Sequence, residues 1–167
     1  MIFEIGIAFA VLLVIYKKKV KNLIHIPIKL PFLLFLSFLI QFSVVFLGGK
    51  EVDFILKFGP LFYVMSFLLL LWVLYQNSHI KGMKIIFLGI FINLLAITMN
   101  GGQMPVASGA LTKVGLDTLY ETVKSGNYVT HTLMTASDNF IAKAAGDIIP
   151  IAPPHPRPRV ISIGDIV

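Results

Sequence analysis

Four apolar runs separated by short loops limit this chain more than any other feature: residues 2–16, 30–47, 54–75 and 83–99. A helix needs about 20 apolar residues to cross the hydrocarbon core of a bilayer. Three of the runs approach that length. The first, with Glu4 as its one charge, is short at about 22 Å of helical rise, so lysine snorkelling or continuation into the following turn would have to complete it. Composition agrees, with 57% apolar residues and only 13% charged against roughly a quarter charged in soluble domains, and a mean hydropathy of +0.88. The expected fold is an all-α integral membrane protein, a four-span helical bundle.

The positive charge is unevenly placed, and that fixes an expected topology. Residues 17–29 hold five lysines and residues 76–84 hold Lys81 and Lys84, whereas the loop between the second and third runs balances Lys50 against Glu51 and Asp53. By the positive-inside rule the two lysine-rich loops face the cytoplasm, which places the N-terminus and residues 100–159 outside. Lysines 17, 18, 19 and 21 follow the first apolar run, where a cleaved signal peptide would carry them in front, so that run reads as a retained helix. The net charge of +6 does not imply nucleic acid, because the excess sits in the membrane half and the polar half has no basic face interleaved with aromatics. The chain has no cysteine, which excludes disulfides, thiolate metal sites and a cysteine nucleophile.

At Asn100-Gly101-Gly102-Gln103-Met104-Pro105-Val106 the last apolar run stops and a mixed segment begins. Paired glycines and a proline predict a helix end and a sharp turn. Beyond it, Leu116, Leu119, Tyr120 and Val123 keep helical spacing after Asp117, which predicts a short helix over 117–125, with a turn of helix at 110–114 before it. Thr135 or Ser137 is expected to cap another helix through Phe140, Ile141 and Ala144, ended by a left-handed Gly146. Five prolines between Pro150 and Pro158 predict an extended polyproline strap. Residues 100–159 should therefore form an extracytoplasmic cap of short helices, strapped by the proline run, and residues 160–167 should turn back toward the membrane.

The seven residues from Asn100, together with Gly146-Asp147-Ile148-Ile149-Pro150 and Pro158-Arg159-Val160-Ile161-Ser162-Ile163-Gly164-Asp165, resemble a family of small bacterial membrane proteins catalogued as domain of unknown function 5317. The resemblance covers the outer half in order and spacing; the helices match only in being apolar. It implies a last apolar span after the Ser-Ile-Gly-Asp motif, for which Asp165 would serve as cap, and it implies no activity.

Asn100, Gly101 and Gly102 could form an anion nest, although no Lys-Ser/Thr follows as in a phosphate loop, and a helix C-terminus repels anions. His131, Asp147 and His155, with Asp138, are the outer residues suited to acid/base chemistry, but their separations of seven, nine and eight match no ligand pair on one helix. No metal and no cofactor is expected. Ser162 lacks the Gly-x-Ser-x-Gly context of a nucleophile. Arg157 and Arg159 would be presented along the strap to lipid phosphates or to a partner's carboxylates, and Gln41 and Asn93 are expected to tie helices together. The leading functional expectation is a non-enzymatic protein that binds membrane lipid or a membrane-protein partner through the cap. The alternatives are an enzyme acting on a lipid-linked substrate at the outer leaflet and a small-solute channel or carrier.

Overall fold

The computed structural model describes residues 27–167. The expected first span, 2–16, and the lysines at 17–21 lie outside the described residues. Helix α1 (Pro31–Gly48) starts on a proline whose fixed φ suits a first helical position. Helix α2 (Asp53–Gln76) carries Asp53 in its first turn, where a carboxylate complements the helix dipole, and continues through Pro60. Helix α3 (Met83–Met99) follows a tight turn at Gly82. The three boundaries fall within a residue of the apolar runs. Helices α1 and α2 are long and apolar enough to cross a membrane; α3, at 17 residues, is a shorter apolar helix. Only 17% of the apolar window of α1 and 33% of that of α2 is buried in protein. Phe32, Phe35, Leu61 and Trp72 are more than half exposed, an apolar exterior that water would penalise and lipid would not.

Consecutive helices pack side by side, α1 on α2 and α2 on α3. Polar groups in this layer are satisfied locally: Ser37 and Ser66, both fully buried, donate to the carbonyls of Leu34 and Tyr63 at 2.7 and 2.6 Å. Asn77 closes one end of the bundle by accepting from the Lys29 N–H at 2.7 Å and donating to its carbonyl at 2.9 Å.

The mixed segment is more varied than its expected cap of short helices. It contains β1 (Met104–Val106), α4 (Ser108–Lys113), α5 (Asp117–Lys124), β2 (His131–Leu133), α6 (Phe140–Ala145), β3 (Ile149–Ile151) and β4 (Arg159–Ile161). Strands β1 and β2 are parallel with Met104 opposite His131, and β3 and β4 are antiparallel with Pro150 opposite Val160. The proline run is therefore a hairpin and its turn, not an extended strap, because Ile149 and Ile151 find backbone partners on the returning strand. Asn139, rather than Thr135 or Ser137, caps α6, its Oδ1 accepting from the Ile141 N–H at 2.9 Å. Gly146 is extended, not left-handed. Its glycine is required by crowding instead, since a Cβ there would lie 2.5 Å from the Pro105 carbonyl oxygen.

The mixed segment joins the helices where side chains are missing. Val129 sits between the end of α1 and the start of α2: a Cβ on Gly59 would stand 2.4 Å from its Cγ1 and one on Gly48 would stand 2.8 Å from its Cγ2. The Gln103 Nε2 donates to the carbonyls of Tyr128 and Val129, both at 3.1 Å, and so holds that plug in register. Met104 and Ala145 complete a buried cluster with Phe67, Leu71, Leu94 and Ile97. Farther along, Gly164 lies against Gly89 in the middle of α3, where a Cβ on Gly89 would be 2.5 Å from the Gly164 carbonyl oxygen. The mixed segment thus rests partly beside the helices and not wholly above their ends.

Helix propensity favours Gly59→Ala by about 1 kcal/mol, yet the stiff, branched Val129 leaves no room for the methyl. We expect Gly59→Ala to lower the unfolding midpoint of the detergent-solubilised chain, Val129→Ala to cost about 2 kcal/mol, and the double variant to be more stable than Val129→Ala alone. Equal effects of Gly59→Ala in both backgrounds would show that the two positions are not coupled.

Candidate functional site

The glycine turn is a helix terminus held by backbone and side-chain hydrogen bonds. Gly101 is left-handed at φ 67°, and the Gly102 N–H donates to the Ile97 carbonyl at 2.8 Å, the long-range bond of a Schellman cap. The Asn100 side chain donates to the Gln103 carbonyl at 2.9 Å. Asn100, Gly101 and Gly102 position the chain here, and the Gly102 N–H that an anion nest would need is given to Ile97.

Among the described residues, Asn93 bonds to the chain returning from the mixed segment, where a tie between spans was expected. The Asn93 Oδ1 accepts from the Ser162 hydroxyl at 2.7 Å and its Nδ2 donates to an Asp165 oxygen at 3.0 Å, so it binds the returning chain to α3. Ser162 and Asp165 cap one another: the Ser162 N–H donates to Asp165 at 3.1 Å and the Asp165 N–H donates to the Ser162 hydroxyl at 3.2 Å. This reciprocal pair is the capping box of a starting helix turn. Ser162, fully buried, is thereby a structural hydroxyl. The Gln41 Nε2 is buried with no hydrogen-bond partner among the described residues.

His131 and Asp147 do converge. Strand β1 is flanked on one side by β2, which carries His131, and on the other by residue 147, bridged to Val106. Backbone bonds from Ala107 to the Asp147 carbonyl at 2.9 Å and from Asp147 to the Pro105 carbonyl at 2.8 Å fix the second flank. The His131 Nε2 then stands 3.3 Å from the Asp147 Oδ2, its Nδ1 is 2.9 Å from the Thr130 hydroxyl, and its ring centroid is 5.3 Å from that of Tyr128. Thr130, His131 and Asp147 form one polar chain, with the Tyr128 ring against the imidazole. It meets a cavity of about 270 Å³ whose other walls are mainly apolar, among them Leu111, Leu116, Leu119, Val123 and Val160. Arg159 on β4 also lines the cavity, whereas Arg157 is exposed in the turn before it. His155, the third acid/base candidate, is not part of this lining. Its Nδ1 lies 2.8 Å from the Arg157 carbonyl and accepts from the Arg157 N–H at 3.2 Å.

Burial pushes the Asp147 carboxyl above the ordinary carboxylate range; the hydrogen bond and charge of His131 oppose the shift. Burial likewise raises the Tyr128 phenol, against the hydrogen bond from Thr130. Asp138 behaves oppositely, held below its ordinary range by bonds from the hydroxyl and N–H of Thr135. Tyr128 and Thr130 were not singled out from sequence, since neither stands in a motif; only proximity to His131 marks them.

The profile of a family described as "Family of unknown function (DUF5317)" matches residues 25–167. A Thermotoga maritima protein described as uncharacterized is 30% identical over 158 residues, which span 95% of this chain and 80% of the relative. No solved structure matches the chain.

A carboxyl whose folded pKa is raised binds more protons folded than unfolded, so its contribution to stability falls as pH rises through that interval. We expect the midpoint difference between the native chain and Asp147→Asn to shift in favour of the variant as pH rises above about 4, the ordinary carboxylate value. A depressed carboxyl works the other way. Asp138 should lose its contribution on acidification, and Asp138→Asn should gain on the native chain only below about pH 4.

Proposed function

The chain belongs to the DUF5317 family, and from that premise we propose that it is a polytopic bacterial membrane protein whose mixed segment binds an apolar group bearing a polar end. In this reading the lysine-poor side, with residues 100–159, faces outward and the lysine-rich loops face the cytoplasm. The observation that carries it is the 270 Å³ cavity, apolar on Leu111, Leu116, Leu119 and Val123 and polar where Tyr128, His131 and Asp147 meet it. Apolar walls with a few convergent polar groups are the usual form of a small-molecule site. The apolar part of a lipid or lipid-linked molecule would be held by the walls, and its polar end would be oriented by the His131 and Asp147 pair.

A second reading, an enzyme on a lipid-linked substrate at the outer leaflet, is favoured by one observation. The imidazole and the buried carboxyl are within 3.3 Å of each other at the cavity wall, an arrangement suited to general base chemistry. It has less support, because His155 is turned to Arg157 and Thr130 is buried, 3% exposed as a residue. A path through the helices has less still, since Asn93 is occupied by Ser162 and Asp165.

Purification from native membranes followed by mass spectrometry should recover a bound molecule with an apolar portion. Leu119→Trp, which fills the cavity from a half-buried position, should lower its occupancy about ten-fold or more, the equivalent of roughly 1.4 kcal/mol, with no loss of thermal stability. Unchanged occupancy would place the molecule elsewhere. A molecule recovered chemically altered from the native chain but intact from Asp147→Asn would favour the enzyme.

A further inference from the structure

We propose that the end of the bundle opposite the mixed segment holds the phosphate of an anionic phospholipid, in a cleft between the end of α2 and the start of α3. This site is independent of the cavity described above. The cleft, of about 350 Å³, is lined by Tyr75, Ser78, Lys84 and Phe87, and has roughly ten times the volume that one water occupies in the liquid.

Charge is the first argument. No Asp or Glu occurs between Glu4 and Glu51 or between Asp53 and Asp117. Lys29, whose backbone is bonded twice to Asn77 at this end, and Lys81 and Lys84 therefore lie on stretches that carry no carboxylate. No salt bridge joins Lys81 or Lys84 to an acid among the described residues. An external anion is what an end of the bundle with basic side chains and no nearby acid in sequence attracts.

Local geometry is the second. Helix α3 has Gly82 at its N-cap position with no side-chain cap and no acid in its first turn, so its first N–H groups add to the positive field that Lys84 supplies. Ser78 and Tyr75 line the same space, and both carry a neutral hydroxyl of the kind that can donate to the remaining phosphate oxygens.

The walls decide the source of the phosphate. Phe87 and the Tyr75 ring are apolar, Tyr75 stacks on Trp72 with ring centroids 6.1 Å apart, and Ile85, Ile86 and Leu88 beside them are half exposed or more. Amphipathic rings of this kind settle at the headgroup level of a bilayer. A diacyl phosphodiester can occupy both the basic and the apolar surfaces, whereas inorganic phosphate satisfies only the first.

The test uses the full chain in nanodiscs of equal parts phosphatidylglycerol and phosphatidylcholine, with retained lipid counted by native mass spectrometry after mild delipidation. Phosphatidylglycerol should be retained preferentially. Lys84→Gln should reduce that preference about five-fold and Lys81→Gln with Lys84→Gln about twenty-five-fold, from the usual gain per basic side chain near an anionic surface. Lys113→Gln, in α4 of the mixed segment, should leave it unchanged. Equal retention of the two lipids, or an unaltered preference in Lys84→Gln, would overturn the proposal. Displacement of phosphatidylglycerol by equimolar inorganic phosphate would assign the site to a free anion and overturn the lipid.

Discussion

The contact on which the rest of this structure depends is the approach of backbone to packed side chain at glycines in the helices. In the membrane setting proposed above, apolar helices gain nothing from the hydrophobic effect when they meet one another, so close van der Waals fit has to hold them and whatever docks on them. Gly48 and Gly59 make the groove that takes Val129, and Gly89 takes Gly164. Gly102 stands so near Pro60 that a Cβ would lie 2.8 Å from its ring. Each contact links a helix to the mixed segment or to the chain returning from it. Replacing any of these glycines with a larger residue pushes apart elements that no long-range electrostatic term draws together.

Hydrogen bonds then make the docking specific. The Schellman cap at Gly101 and Gly102 turns the chain off α3 and aims β1 toward its pairing with β2, while Gln103 fixes the backbone on either side of Val129. At the other end of the mixed segment, Asn93 offers one acceptor and one donor to the mutually capped Ser162 and Asp165. A side-chain amide in an apolar helix is costly unless both its groups are used, and the returning chain uses both. These anchors leave the strand pairs free to carry His131 and Asp147 to one cavity wall.

Much of the helical part was legible in the sequence because its signals are local. Pro31, Gly48-Gly49, Asp53 and Gly82 punctuate apolar runs, and the α1, α2 and α3 boundaries follow them. The glycine turn after Asn100 was legible for the same reason. The strands were not: Met104–Val106 and His131–Leu133 are three residues long, too short to show alternation, and their parallel pairing is set by contacts 27 positions apart. The proline run looked extended by composition, but a pairing partner at Val160 makes it a hairpin. For the same reason spacing could group His131, Asp147 and His155 by chemistry without telling that β1 joins the first two and leaves the third in a turn.

The helices and the mixed segment thus form one connected object, and the functional reading requires its two ends to lie on opposite sides of a bilayer. Since the natural chain has no cysteine, single substitutions report position without background. The direct measurement is labelling of Thr122→Cys and Ser78→Cys in intact cells with a membrane-impermeant maleimide. The account predicts that Thr122→Cys is modified from outside and Ser78→Cys only after the cells are opened; modification of both from the same side would contradict it.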